Sequence, residues 1–318
     1  MKKELGIFVL LVALCAITTG INPRFISATN LTNMANIIGM FGIFSIGLGL
    51  VIITGGIDLS VGSIFALCGV LLAMALTEWH WPWPLAAVFV IVVPMILGWI
   101  HGLLITRMKI QPFIITLCGL LIYRGLARFI AGDSTKGFGD AHGFEMFQYL
   151  AKGKLFGLPM PFILLCLISV IMWFVLHRSV YGRYLLAVGR NEEAARFSGI
   201  NTRWVIAGSY IISGFLAGIS GILFAFYTNS VSPSNHGNFY ELYGIAAAVL
   251  GGCSLRGGEG SIIGILIGVA LLQVLQNLVN LLGIPSSLNF AVMGAVVLIG
   301  VLADQIFKNR AAKKSAHR

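Results

Sequence analysis

Runs of roughly 20 mainly apolar residues recur along this chain, and each is long enough to cross a hydrocarbon layer as a helix. In lipid the backbone N–H and C=O groups have no water to pair with, so such runs must satisfy them internally and pack as a bundle. The runs fall at 5–21, 31–53, 61–77, 85–106, 112–131, 161–177, 204–226, 241–253, 261–281 and 286–303. The eighth is too short to cross comfortably and is expected to be tilted, broken or re-entrant. Composition agrees: 58% of the 318 residues are hydrophobic and only 10% are charged, where soluble domains carry about 25% charged residues. The expected fold is all-α, a polytopic membrane helix bundle of about ten spans. Residues 1–304 form the membrane domain, and 305–318 form a basic tail that anionic headgroups attract. The start, MKKELGIFVLLVALCAITTG, has the look of a signal peptide and is read as an uncleaved first span.

Charge sets the expected orientation. With the N-terminus in the cytoplasm, fifteen of the 21 Lys and Arg residues fall on inside segments. Four (Arg24, Lys136, Lys152 and Lys154) fall outside, and Arg124 and Arg128 sit in the outer part of the fifth span. Positive residues collect on cytoplasmic loops, so both termini are placed in the cytoplasm. The net charge of +10 is then a topology signal and calls for no nucleic acid. EWHWPWP (78–84) puts three tryptophans at the outer interface. The external loop 133–160 starts as irregular Gly-rich backbone, and its FEMFQYLAKG segment suits a short amphipathic helix on the outer surface.

The residues that carry chemistry are missing. There is no GxxxxGK[ST] loop for phosphates, no HExxH and no GxSxG. The six histidines make no ligand-spaced pair, and His101, inside an apolar run, reads as packed or hydrogen-bonded. The five cysteines stand singly and read as buried small apolar residues. No catalytic residue and no metal site are expected, and this chain is expected to bind no cofactor. A conduit fits better than a catalyst.

Polar residues inside the spans are the next candidates. Gln273, Gln276, Asn277 and Asn280 follow i, i+3, i+4, i+7 spacing and share one helix face. Asn30, Asn33 and Asn36 form a similar rim on the second span. Two readings stand: hydrogen bonds between helices or subunits, or the lining of a path for an uncharged, hydroxyl-rich solute, since carboxamides both donate and accept. In TGGIDLSVGS (54–63), Gly55 and Gly56 break the helix, and Asp58 or Ser60 is placed to cap the next one near the cytoplasmic face. The rival reading gives this break a role in gating. LGGCSLRGGEGS (250–261) is a comparable break on the same side. Gly214 and Gly218, and Gly260, Gly264 and Gly268, recur every four residues, which lets helices approach closely.

The inside loop 178–203 carries its own helix signals. Asn191 suits an N-cap, and Glu192 and Glu193 fall in the first turn, where the helix dipole favours anions. Ala194, Ala195, Arg196 and Phe197 continue the helix, and Gly199 is placed to end it. A helix of about two turns is marginal alone in water, so it needs a partner surface. That surface is either its own protein's inner face or a separate cytoplasmic protein.

Four segments together resemble the permease subunits of bacterial ATP-binding-cassette importers for monosaccharides, the ribose-type sugar permeases. They are GIDLSVGS (56–63), YGRYLLAVGRNEEAARFSGI (181–200), YELYGIAAAVLGGCSLRGGEGSIIG (240–264) and NLLGI (280–284). Cys253 and Glu259 sit where other members carry different residues. The resemblance implies a multi-pass protein of the bacterial inner membrane, paired with a second permease copy or a paralogue. It implies cytoplasmic ATPase subunits that bind ATP and Mg, and an external sugar-binding protein. It also implies that Gly189 to Gly199 is the coupling segment, with Glu192, Glu193, Ala194, Ala195 and Arg196 forming the helix that docks on the ATPase. The solute would be ribose or a similar simple sugar, moved by alternating access. The alternative is an ion-coupled secondary transporter of a small polar solute, for which Asp58 is the support in the sequence.

Overall fold

The computed structural model describes residues 2–139 and 143–285, with a few positions between 288 and 298. The expected span 286–303 and the tail 305–318 fall almost wholly outside the described residues. The helices are α1 (Lys2–Ile21), α2 (Ala28–Ile53), α3 (Val61–Thr77), α4 (Trp83–Met108), α5 (Pro112–Ala131), α6 (Glu145–Lys152), α7 (Met160–His177), α8 (Val180–Arg190), α9 (Glu192–Phe197), α10 (Thr202–Thr228), α11 (Tyr240–Leu250) and α12 (Ile262–Leu281). Among the described residues, seven of these are long and apolar enough to cross a membrane: α1, α2, α4, α5, α7, α10 and α12. The protein is a multi-pass, helical membrane protein.

Burial sorts the helices into a centre and a rim. The most apolar stretch of α2 is 83% buried and that of α1 only 6%. Small residues explain why α2, α4 and α10 can pack so closely. A Cβ on Gly47 would press on the Ser213 Cα of α10, and one on Gly214 would collide with the Pro94 carbonyl of α4. In lipid this close approach is the main attraction between helices. The four-residue glycine spacing on α12 does the same work, since Gly264 and Gly268 meet the backbone of Gly251 and Ala247.

α3 and α11 are short for one reason: each is entered through non-helical backbone. Residues 54–60 lead into α3 and 229–239 lead into α11. The expected short eighth span is therefore an 11-residue helix preceded by irregular chain. The two helix starts meet, because a Cβ on Gly62 would strike both Glu241 Oε2 and the Gly237 carbonyl. Irregular backbone at membrane depth is tolerated only where protein surrounds it.

The external loop is more ordered than its glycines suggest. Lys136–Gly137 (β1) pairs antiparallel with Ser230–Val231 (β4), and Lys154–Leu155 (β2) with Leu158–Pro159 (β3). The helix in FEMFQYLAKG is present as α6, but its apolar face is turned to protein. Phe147 is buried against Phe226 of α10, with ring centroids 5.4 Å apart, and against Trp83. Cys118 and Cys166 also differ from expectation: they are exposed on the chain's apolar flank, whereas Cys68 and Cys253 are buried. An apolar residue of a membrane protein faces lipid as readily as core.

Candidate functional site

The loop 178–203 builds two helices, where the sequence showed one. Ser179 opens α8, its Oγ accepting from the Gly182 N–H at 3.1 Å. α8 is anchored by Tyr181, whose hydroxyl donates to the Val205 carbonyl at 3.0 Å and is held protonated by burial. Asn191 then caps α9: its Oδ1 accepts from the Ala194 N–H at 2.9 Å. Glu192 and Glu193 occupy the first turn, and Glu192 Oε1 accepts from Thr202 Oγ1 at 3.1 Å. Gly199, at φ +84°, closes the helix, a left-handed position that glycine takes without steric cost.

α9 rests on its own protein by little more than Ala195, which is buried. Asn191, Glu192, Glu193, Ala194 and Arg196 are all exposed. Phe197 is 82% exposed, with Arg196 over its ring at 5.7 Å. Its ring is therefore left uncovered by the rest of the chain. In the sequence Phe197 is marked only by its compatibility with helix.

Immediately before α9, glycines knot three strands of backbone together. Gly189 packs on the Ile53 carbonyl at the end of α2 and on Gly258 N. The Gly258 N–H donates to Ile53 O at 2.8 Å, and Gly257, at φ +84°, sits on Gly189 O and Gly55 N. The two Gly-rich breaks recognised in the sequence are thus in direct contact, with Gly189 packed against both. Cys253 lies in this second break, and burial pushes its thiol up to about 12. A cavity of about 510 Å³ opens behind α9 and reaches from Glu192, Glu193 and Arg196 to Gly55, Gly56 and Tyr210.

Asp58 does not cap α3. Its Oδ1 accepts from the Ser60 N–H at 3.0 Å and from Ser60 Oγ at 2.6 Å, and its Oδ2 faces Ser213 Oγ at 3.4 Å. Ser60 is the N-cap residue, yet its side chain makes no cap bond either. The break is a turn followed by irregular backbone, and Tyr210 and Thr116 hold the Ile57 carbonyl there. Asp58 is consequently buried, at 2% exposure.

Residues the sequence reading passed over share this interior. Arg124 Nη1 donates to the carbonyls of Pro233 and His236 at 3.0 and 2.8 Å, and Nη2 donates to Gly62 O at 3.1 Å. It thereby ties α5 to the starts of both broken helices. Glu241 is 5% exposed, and its Oε2 has no hydrogen-bond partner. His101 is bonded to the Tyr123 hydroxyl at 2.7 Å, in keeping with its hydrogen-bonded reading. The signal for Arg124 and Glu241 was available: ionisable residues within apolar runs are rare unless they have work to do.

The carboxamide stripe of α12 meets α2 at one point. Asn30 Nδ2 donates to Asn277 Oδ1 at 3.1 Å, and Asn277 Nδ2 donates back to Asn30 Oδ1 at 2.8 Å. Gln273 is buried, Gln276 is half-buried, and Asn33 and Asn280 are exposed. Asn36 is half-buried, and its Oδ1 has no partner. No hydrogen bond among the described residues joins Asn33 or Asn36 to the stripe.

The model of the family described as the branched-chain amino acid transport system / permease component matches residues 30–301. The chain is 40% identical over 304 residues to the ribose import permease protein of Bacillus subtilis, covering 95% of this chain and 93% of that one. It is 36% identical to a probable ABC transporter permease protein of Sinorhizobium fredii, covering 91% and 85%. It is 31% identical to the D-allose transport system permease protein of Escherichia coli, covering 95% and 91%. No solved structure matches.

Proposed function

The chain belongs to the branched-chain amino acid transport system / permease component family, and we propose from that premise that it is the membrane subunit of an ATP-driven monosaccharide importer in the bacterial inner membrane. Relatives named for ribose import and D-allose transport, alike over nearly the whole chain, favour a simple sugar and an importer over an ion-coupled transporter. The chain itself is no enzyme. ATP and Mg are bound by separate cytoplasmic ATPase subunits, an external binding protein delivers the sugar, and a second permease copy or a paralogue completes the path.

The observation that carries the reading is α9, a capped helix with an acidic first turn and an exposed phenylalanine, fastened by backbone to both helix breaks. It docks on the ATPase. When the ATPases close on ATP, α9 is displaced. Because Gly189 has no side chain to cushion it, the shift passes directly to the Ile53 and Gly258 backbones. From Ile53 it enters the 54–60 segment, where Asp58 and Tyr210 join that segment to α10. Rigid helices then tilt and expose the path to the outside, and hydrolysis resets it inward. The buried Asp58 serves this linkage, and Gly55, Gly56 and Ser60 give the segment its shape. Asn33, Asn36, Gln273, Gln276, Asn277 and Asn280 are the proposed polar contacts of the sugar.

The test is ATP-driven uptake of labelled ribose by the complex reconstituted in vesicles. A Glu192→Lys/Glu193→Lys variant is expected to assemble in the membrane and to lose sugar-stimulated ATP hydrolysis and uptake together. Uptake that persists with the ATPase inactivated would sink the importer reading. Unchanged coupling in the double variant would remove α9 from it.

A further inference from the structure

A second cleft, of about 360 Å³, opens between the ends of α4 and α10 on the side that carries α9. Its wall presents Arg107 from the last turn of α4, Arg203 from the first turn of α10 and Arg196 from α9. No carboxylate lines it. Among the described residues, none of these three arginines belongs to an ion pair. Three guanidinium groups around one cleft attract an anion, with Glu192 and Glu193 placed in the neighbouring cavity that Arg196 and Arg203 also line.

The other half of the wall is amphipathic. Trp99 is 44% exposed and Trp204 66% exposed, and both line the cleft. Tryptophan prefers the headgroup level of a bilayer, where its ring is half wet. Trp99 lies eight residues before Arg107 on α4, about 12 Å up the helix axis. The cleft thus grades from apolar to cationic over the depth of a lipid headgroup and its first acyl carbons. Beside it, Gly98 and Gly102 bring α4 so close to Tyr210 and Ala207 of α10 that no side chain fits between the two helices.

We propose that this cleft is a binding site for an anionic phospholipid of the leaflet on the α9 side, with the lipid phosphate held by Arg107, Arg203 and Arg196 and its glycerol and acyl start held by Trp99 and Trp204. Guanidinium groups suit the phosphate because they donate two parallel hydrogen bonds to its oxygens. A free inorganic phosphate would satisfy the arginines and leave the tryptophans without a role. Since Arg196 belongs to α9, a bound lipid touches the coupling helix. That consequence rests on the proposed docking role of α9, whereas lipid binding itself does not, and the site's leaflet follows from the proposed orientation.

The test is native mass spectrometry of the detergent-solubilised full chain titrated with phosphatidylglycerol or phosphatidylcholine. Wild type is expected to retain phosphatidylglycerol in preference, and the Arg107→Gln/Arg203→Gln variant to bind it about tenfold more weakly. Arg107→Lys/Arg203→Lys should keep most of the binding, and Lys152→Gln/Lys154→Gln, on the other face, all of it. Equal retention of the two lipids by wild type overturns the proposal, and so does unchanged phosphatidylglycerol binding in the Gln variant. Complete displacement of the lipid by millimolar inorganic phosphate would assign the site to a free anion instead.

Discussion

The Gly258 N–H donates to the Ile53 carbonyl at 2.8 Å, and Gly189 lies so close to both that no side chain fits between them. Gly189→Ala is expected to destabilise the protein. Alanine is the better helix former by about 1 kcal/mol, but its Cβ meets only backbone atoms, which cannot swing away. Overpacking of this kind costs about 1–3 kcal/mol. A lower melting temperature in detergent, with weaker coupling of hydrolysis to uptake, is the expected result. A melting temperature at or above wild type would show that the junction yields.

Arg124 should tolerate neither loss of its charge nor loss of its shape. Arg124→Gln leaves the carbonyls of Pro233, His236 and Gly62 without their donor, at about 1–3 kcal/mol for a buried group left unsatisfied. Arg124→Lys keeps the charge but not the planar fork that reaches both helix starts. Melting temperatures should fall in the order wild type, Lys, Gln. Equal values for the two variants would mean that the planar fork alone matters.

For Asn30 and Asn277 the two readings of the carboxamide stripe separate cleanly. If the pair is structural, Asn30→Leu and Asn277→Leu each cost about 0.6–1.7 kcal/mol, and the double variant costs much less than their sum. If Asn277 contacts the passing sugar, Asn277→Leu lowers uptake with no change in melting. Thermal melting and ribose uptake on the same preparations distinguish them.

Phe197→Ala should leave the isolated chain as stable as wild type, because the ring is 82% exposed. Affinity for the ATPase should drop by about 2 kcal/mol or more, as for an aromatic anchor at an interface centre. Pull-down against a dilution series of the ATPase measures this. Undiminished binding would make Phe197 a lipid-facing or incidental residue.

Cys253 should be inert. Burial raises its thiol from 9.0 to about 12, so it stays protonated through the physiological range. Alkylation by a maleimide should be slow between about pH 7 and 9 and should rise with pH without levelling off near 9, since the thiolate is the nucleophile. The unfolded chain ionises at 9.0 and the folded one only near 12, so this group's contribution to stability is present below 9.0 and is lost as pH climbs toward 12. Rapid labelling at neutral pH without denaturant would contradict the burial.

Much of this protein follows from sequence alone, and the reason is the solvent. In a bilayer an apolar run long enough to cross must be helical, so nine of the expected spans coincide with helices to within a few residues. The short helix α9 was equally legible, because Asn191, the two glutamates and Gly199 act on their own backbone within a few residues. Tertiary structure alone decided what distant residues do to each other. It turned the apolar face of α6 onto α10, joined Asn30 to Asn277, and set Asp58 against Ser60 and Ser213. It also brought two separate glycine-rich breaks together at Gly189, and set Arg124 across the starts of two broken helices. Such contacts join residues up to 247 positions apart. Periodicity and capping report only on neighbours a turn or two away, whereas these pairings depend on how closely packed helices can approach, and that is settled only when the whole bundle forms.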